Sequence, residues 1–325
     1  MSSSSADLPA SYASLGYDDI TVSHVPASST AVTKVVVVTL NRPHKYNAVT
    51  LDMLVGLEAI FNTVSEDPRV RAVVLTGAGK AFSGGADLNV GFMAMTSLKE
   101  SDEMMRDFRD WYRPPPRRGM GGRLALAIAG CKKPTVVAIN GPAVGVGLTM
   151  TLPATIRVAW EGAKCGVPFA RRGLVLESCS AFYLPRLIGL SKASHVAATG
   201  DVYPVSDPLV SGLFSKLLPS PEETVRYAVH LAEDLAENTS LVSTKLMRDM
   251  MTYGPPSPEG AHILDSRVFV QLAGTADNVE GVKSFLEKRK PNFTDSLSRE
   301  SVPFWPWWDR DTGRYVSQLE RAAKL

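Results

Sequence analysis

Two kinds of hydrophobic pattern alternate along the first two thirds of the chain. Short runs of β-branched and apolar residues, bounded by turn residues, predict buried strands. These runs cover residues 20–24, 34–40, 72–76, 135–140 and 156–159. Between them, Thr50 precedes apolar residues at helical spacing as far as Phe61, which predicts a capped amphipathic helix. Strands that alternate with helical stretches indicate an α/β fold of successive βα units.

The pattern becomes helical from about residue 221. Apolar residues recur at helical spacing over residues 222–235, 241–251, 260–272 and 279–290. We therefore predict a flexible N-terminus (1–14), a core (15–220), a helical region (221–294) and a C-terminal extension (295–325) whose aromatics pack on the body. Residues 91–122 are polar and contain three consecutive prolines, which is typical of a lid or surface excursion; a polyproline partner motif is the alternative.

Composition and charge narrow the function classes. The chain has 325 residues, 45% of them hydrophobic, as in an ordinary globular protein. A formal net charge of +2 gives no reason to expect nucleic acid as a partner, and no apolar run has the length of a membrane span. The three cysteines are widely spaced, which favours a reducing compartment over a disulfide framework.

The last three residues have the form of a targeting signal. Ala323, Lys324 and Leu325 differ by one substitution from the S-K-L tripeptide that directs proteins to peroxisomes. We therefore expect a peroxisomal protein that binds the import receptor through this tail.

Two glycine-rich turns each follow a predicted strand. They cover residues 81–88 (AFSGGADL) and 140–149 (NGPAVGVGLT). Glycines at such turns let backbone N–H groups approach a ligand closely. Neither turn has the spacing of a phosphate-binding P-loop, a dinucleotide fingerprint or a nucleophile elbow. The five histidines are scattered, so the sequence suggests no metal cluster.

These turns belong to a longer series of motifs. Residues 41–48 (NRPHKYNA), 75–88 (LTGAGKAFSGGADL), 140–147 (NGPAVGVG) and 285–293 (FLEKRKPNF) follow one another in the order found in the crotonase superfamily. Over roughly residues 15–294, the chain resembles this family of enoyl-CoA hydratases and isomerases. The resemblance implies a crotonase-like spiral of ββα units with a C-terminal helical trimerisation region. It also implies a homotrimer or dimer of trimers and an acyl-CoA substrate, with no metal or redox cofactor.

The resemblance also implies which residues contact the substrate. The backbone amides of Ala86 and Val146 match the family's oxyanion hole, where one donor is typically worth about 10²–10³ in rate. Positions that contact CoA in the family are matched by Ala48, Leu88, Phe285 and Lys288.

A single carboxylate is the candidate for proton transfer. Thr149 and Phe169 stand where the family's hydratases carry their two glutamates, so that machinery is missing. Glu177, in residues 173–181 (GLVLESCSA), resembles instead the glutamate of the single-glutamate Δ3,Δ2-enoyl-CoA isomerases. Its apolar neighbours in sequence should raise its pKa towards a working range. We expect Glu177 to take a proton from C2 of a 3-enoyl thioester and return it to C4.

Other interpretations of the same residues stay open. The chain could be a hydratase that works with one glutamate, a thioester hydrolase or dehalogenase on the same scaffold, or a non-catalytic acyl-CoA binder. Glu177 could instead be a surface residue that caps the helix predicted to begin near Ser180. We interpret Thr149 as a small polar residue at the start of a helix and Phe169 as part of the pocket wall. We interpret Cys179 as a buried cysteine that contributes to packing.

Overall fold

A computed structural model describes residues 8–87 and 120–308 of the chain. These residues form two compact units, residues 8–87 with 120–236 and residues 237–308. Most of the predicted lid, Leu88 and the tail Ala323–Lys324–Leu325 lie outside the described residues. Neither the predicted lid nor the division into four segments is tested, and both stay predictions.

The first unit contains two sheets. The larger has the order β1-β2-β3-β4-β6-β9, in which β1 is antiparallel to β2 and the other neighbours are parallel. Its strands are β1 (Ile20–His24), β2 (Val35–Leu40), β3 (Ala72–Gly77), β4 (Thr135–Ile139), β6 (Ile156–Trp160) and β9 (Lys216–Leu218). The smaller sheet consists of β5 (Ala143–Val144), β7 (Lys164–Gly166) and β8 (Val202–Pro204).

Helices connect these strands and form the second unit. In chain order they are α1 (Leu51–Glu66), α2 (Met120–Gly130), α3 (Val146–Thr149), α4 (Ser180–Ile188), α5 (Leu190–Thr199), α6 (Pro221–Asn238), α7 (Leu241–Tyr253), α8 (Pro258–Leu272) and α9 (Ala276–Leu286). Thr50 caps α1 as predicted, because its side chain accepts a hydrogen bond from the amide of Met53. None of the described helices is both long enough and apolar enough to cross a membrane.

The run of valines in β2 explains how one strand serves two cores. Val36 and Val38 belong to the core that includes Leu57 and Phe61 of α1. Val35 and Val37 point to the opposite face, where they join a second core with alanines of α6. Because side chains alternate across a strand, a continuous apolar run is the pattern expected of a parallel strand covered on both faces.

The structure confirms the α/β fold and the five predicted strands to within one residue at their ends. The last predicted helix is wrong at its end, since α9 stops at Leu286 rather than continuing to Lys290. Lys288 has a φ of 53°, a left-handed conformation that ends the helix.

The second unit has its own small core. Val242 and Leu246 of α7 pack with Val268 of α8 and with Val302 of the C-terminal extension. The extension's Trp305 packs against this core, as predicted for its aromatics. The described part of the tryptophan-rich extension is therefore an integral part of this unit.

Candidate functional site

The two glycine-rich turns lie side by side at the carboxyl ends of β3 and β4. The amide of Ser83 donates to the carbonyl of Pro142 at 3.0 Å, and the amide of Val144 donates to the carbonyl of Ser83 at 3.0 Å. A third bond, from the amide of Gly145 to the carbonyl of Gly166, ties the second turn to β7. The sequence predicted both turns, and the structure shows that they form one continuous backbone surface.

Two buried asparagines hold the first turn in place. Asn47 donates to the carbonyls of Ala78 and Ala81 at 2.9 and 2.8 Å. Asn140 donates to the carbonyl of Gly77 at 2.7 Å and accepts from the amide of Gly77 at 3.1 Å. The asparagines of the motifs at 41–48 and 140–147 thus bond to backbone groups that would otherwise be unsatisfied.

The predicted oxyanion donors are the backbone amides of Ala86 and Val146, and the structure describes the surroundings of both. The neighbours of Ala86 bond to Val49, from the Val49 amide to the Gly85 carbonyl and from the Asp87 amide to the Val49 carbonyl. This ladder directs the amide of Ala86 to the other side of the strand. Val146 is the first residue of α3, where helical geometry leaves the amide without an internal partner. Within the described residues, neither amide has a hydrogen-bond acceptor.

The glycines that precede the two amides, Gly85 and Gly145, lie close together. A Cβ atom built on Gly145 would lie 4.0 Å from the Cα atom of Gly85. Gly85 and Gly145 have φ values of 101° and 56°, which non-glycine residues rarely adopt. That both amides donate to a single oxygen atom stays a prediction.

Replacing Gly85 with alanine should damage this arrangement. Its Cβ would lie 2.8 Å from the carbonyl oxygen of Val144, so the backbone beside Ala86 must shift. We expect about 1–3 kcal/mol of destabilisation from the φ strain and a lower turnover with any acyl-CoA substrate. Gly84→Ala is the matched control, because its Cβ would meet only ordinary contacts at 3.6 Å. Equal thermal stability and turnover in the two variants would contradict the expectation.

Glu177 lies between the turn at Ala170–Arg172 and helix α4, and its side chain is half-buried. Oε1 accepts a hydrogen bond from the hydroxyl of Thr149, and Oε2 accepts one from the hydroxyl of Ser178. Burial raises the pKa of this carboxyl, while the two hydroxyl bonds oppose the rise. A raised pKa suits a group that must both take and return a proton.

Glu177 does not cap α4 with its carboxyl group. It is the main-chain carbonyl of Glu177 that accepts from the amide of Ser180, at 2.9 Å. The N-cap residue is Cys179, whose side chain makes no capping bond. The alternative of a surface glutamate that caps the helix is therefore wrong.

The backbone after Glu177 is strained. Ser178 and Cys179 have φ values of 51° and 58°, in the left-handed region that favours glycine. Each such residue costs of order 1 kcal/mol and persists where surrounding contacts hold it, commonly at functional sites. Here the conformation places the Ser178 hydroxyl on Oε2 of Glu177.

Thr149 has a partner that the sequence did not reveal. The prediction of a small polar residue at a helix start is correct for its position in α3, but its buried hydroxyl contacts the carboxyl group of Glu177. The signal that could have found it is spacing, since residues three apart share a helical face and Thr149 follows Val146 by one turn.

Phe169 lies against the same turn. Its Cζ atom would be 4.0 Å from a Cβ built on Gly145, the residue before the Val146 amide. The position at which family hydratases carry a glutamate is thus filled by an aromatic ring. That Phe169 forms part of the pocket wall stays a prediction.

The predicted CoA contacts are only partly described. Ala48 is half-buried; its amide donates to the carbonyl of Lys45, and its carbonyl accepts from the guanidinium of Arg42 at 3.2 Å. Phe285 and Lys288 belong to the second unit, where both are exposed. Their role in CoA binding stays a prediction. The described residues contain no cluster of histidine, cysteine or carboxylate side chains that could hold a metal ion.

The chain is similar to known proteins over most of its length. Residues 30–296 match the family model described as enoyl-CoA hydratase/isomerase. "Enoyl-CoA hydratase AFT3-1" of Alternaria alternata is 40% identical over 291 residues, which is 90% of this chain and 92% of that protein. "Mevalonyl-coenzyme A hydratase SIDH" of Beauveria bassiana is 32% identical and covers 81% of this chain and 92% of its own.

Solved structures share the fold. A putative enoyl-CoA hydratase from Streptomyces coelicolor has a TM-score of 0.73 at 27% identity, covering 89% of this chain and 99% of that one. An enoyl-CoA hydratase from Bacillus anthracis has a TM-score of 0.70 at 25% identity, covering 86% of this chain and 100% of that one.

Proposed function

Because this chain belongs to the enoyl-CoA hydratase/isomerase family, we propose that it converts a 3-enoyl-CoA into the 2-enoyl-CoA. The observation that carries the proposal is the pairing of one half-buried carboxyl, that of Glu177, with the helical turn that begins at the Val146 amide. The link is Thr149, whose hydroxyl contacts Glu177 from that turn. One proton carrier beside two oxyanion donors is sufficient for moving a double bond.

The reaction proceeds in two proton transfers. Glu177 takes the proton from C2; the C2–H pair forms a C1–C2 double bond, and the carbonyl π pair moves onto the thioester oxygen. The amides of Ala86 and Val146 donate to this oxyanion. The oxyanion pair then re-forms the carbonyl, the C2–C3 double bond forms, and the former C3–C4 π pair takes the proton from Glu177 at C4. The carboxylate is regenerated and no atom is added.

Phe169 favours isomerisation over hydration. Hydration needs a group that orients and deprotonates water in addition to the group that protonates carbon. An aromatic ring beside Gly145 offers no such group. Excluding water there would also protect the dienolate from side reactions.

A single-glutamate hydratase is the second candidate, because the Alternaria relatives are named hydratases. Purified protein should be given a 3-enoyl-CoA and, separately, the 2-enoyl-CoA of the same chain length. We expect conversion of the first to the second, detected chromatographically. Formation of 3-hydroxyacyl-CoA from the 2-enoyl substrate without any positional isomerisation would overturn the isomerase proposal in favour of hydration.

The second unit supports a proposal of homotrimers, or dimers of trimers, as the family resemblance implies. Several of its large apolar side chains are exposed in the single chain, among them Met251, Ile263, Phe269, Val270 and Phe285. Exposed apolar side chains of this size favour burial against another copy of the chain. Sedimentation that reports only monomers would contradict this.

The tail Ala323–Lys324–Leu325 supports a peroxisomal location through the import receptor. Deleting these three residues should release a fluorescent fusion to the cytosol. An unchanged distribution would reject the proposed address.

A further inference from the structure

The Thr149 hydroxyl faces two acceptors at once. Its Oγ1 contacts Oε1 of Glu177, and it also lies 3.2 Å from the carbonyl oxygen of Gly145. A hydroxyl has one hydrogen to donate and lone pairs with which to accept. Thr149 can therefore donate to Glu177 or to the carbonyl of Gly145, and its orientation depends on whether Glu177 carries a proton.

The protonation state of Glu177 selects between these orientations. An ionised carboxylate only accepts, so Thr149 donates to it. A protonated Oε1 can donate to Oγ1 of Thr149, which frees the threonine hydrogen for the Gly145 carbonyl. The switch needs only rotation of a hydroxyl hydrogen, because the heavy atoms already stand within hydrogen-bond distance.

The second acceptor matters because of the peptide unit to which it belongs. The carbonyl of Gly145 and the amide of Val146 are two ends of one peptide group, and that amide is a predicted oxyanion donor. The carbonyl already accepts from the amides of Leu148 and Thr149, both at 2.9 Å. A further donor polarises the peptide and strengthens its N–H as a donor, since linked hydrogen bonds reinforce one another.

We infer that Thr149 is a positioning residue that relays the proton state of Glu177 to the oxyanion hole. When Glu177 receives the C2 proton, Thr149 turns to the Gly145 carbonyl, and the Val146 amide becomes a stronger donor as the thioester oxygen becomes negative. When Glu177 releases the proton to C4, Thr149 turns back. The inference rests on the proposed proton transfer at Glu177.

Ser178 provides the internal comparison. Its hydroxyl contacts Oε2, the other oxygen of the same carboxyl group. It is held on the turn before α4 and has no bond to the peptide that joins Gly145 and Val146 among the described residues. Ser178 therefore shares the effect of Thr149 on the carboxylate without sharing the link to the oxyanion hole.

The test measures binding rather than turnover. The probes are acetoacetyl-CoA, whose acidic C2 can give its proton to Glu177 and leave an enolate in the site, and butyryl-CoA, which stays neutral. Thr149→Val, which removes the hydroxyl at similar volume, should weaken acetoacetyl-CoA about tenfold relative to butyryl-CoA, the effect of one hydrogen bond. Thr149→Ser should keep the wild-type ratio of affinities.

Three results would overturn the relay. The first is that Thr149→Val weakens the binding of both ligands equally, and the second is that Ser178→Ala lowers the ratio of the two affinities as much as Thr149→Val does. The third is that the wild-type protein binds both ligands with equal affinity. If Thr149→Val does not fold, loss of the ratio in Thr149→Ser would also overturn it. The readout is independent of the reaction catalysed. Selective loss of enolate binding in a protein without isomerase activity would support the relay and reject the proposed function.

The pH profile gives a second readout. The Thr149 bond to the carboxylate lowers the pKa of Glu177, so its removal should raise that pKa. The acid limb of the kcat profile should then move to higher pH in both Thr149→Val and Ser178→Ala. Thr149→Val should lower kcat more than Ser178→Ala at a pH above both limbs. If the two variants had equal kcat values at that pH, Thr149 would not act on the oxyanion hole through the peptide that joins Gly145 and Val146.

Discussion

Replacing Glu177 with glutamine should lower turnover by about 10²–10⁴-fold, the usual contribution of a positioned acid–base group. Glutamine has nearly the same shape, and its amide can bond to the hydroxyls of Thr149 and Ser178 that now contact the carboxyl group. It cannot carry a proton between C2 and C4. The measurement is kcat with the 3-enoyl-CoA, together with the affinity for butyryl-CoA, which should stay within a few-fold.

Glu161→Gln is the matched control, since Glu161 is exposed and the substitution is chemically the same. Its turnover should equal that of the wild type. If Glu177→Gln retained wild-type turnover while binding acyl-CoA, Glu177 would not be the proton carrier, and the proposed mechanism would be rejected.

Glu177→Gln should also show that the ionised carboxyl of Glu177 lowers the stability of the folded chain. Burial raises the folded-state pKa of Glu177, so the folded chain holds this proton more tightly than the unfolded chain does. The contribution of the protonated Glu177 to stability is fully present below the pKa of this group in the unfolded chain. It is lost as pH rises through the pKa of Glu177 in the folded chain. Glu177→Gln, which does not ionise, should therefore have an equal or higher Tm than wild type at pH 8, with the difference closing towards pH 4.

The sequence was sufficient to predict features that depend on neighbouring residues in the chain. The valine run of β2 and the cap at Thr50 follow from residue type and spacing, and the structure places both as predicted. The short strands β5, β7, β8 and β9 were not predicted, because two or three residues carry no usable periodicity and owe their conformation to their neighbours. In the candidate site, likewise, residues in local motifs could be predicted and contacts between distant residues could not.

Glu177 could be identified from the motif around it, but the contacts that define its environment could not. Thr149 is 28 residues away in the chain, and only the packing of α3 beside the Glu177 turn brings the two together. The left-handed backbone of Ser178 and Cys179 could not be predicted either, since neither residue type favours that conformation. The burial that tunes the carboxyl is thus a property of the tertiary structure.

Replacing Asp249 with alanine should produce the largest loss of stability outside the candidate site. Asp249 is fully buried in the second unit; its Oδ1 lies 2.6 Å from Nζ of Lys245, and its Oδ2 accepts from the indole of Trp305 at 2.9 Å. The alanine variant would leave a buried ammonium group without this carboxylate. Removing one partner of a buried ion pair typically costs about 3–5 kcal/mol.

Urea unfolding followed by tryptophan fluorescence measures this loss, since three of the five tryptophans of the chain, Trp305, Trp307 and Trp308, lie in the second unit. Glu223→Ala is the control, because the Glu223–Arg226 pair on α6 is exposed and such pairs contribute about 0–1 kcal/mol. Combining Lys245→Met with Asp249→Leu should restore part of the stability, since apolar residues need no charge partner. If Asp249→Ala were no less stable than Glu223→Ala, the bonds of Asp249 to Lys245 and Trp305 would not stabilise the second unit.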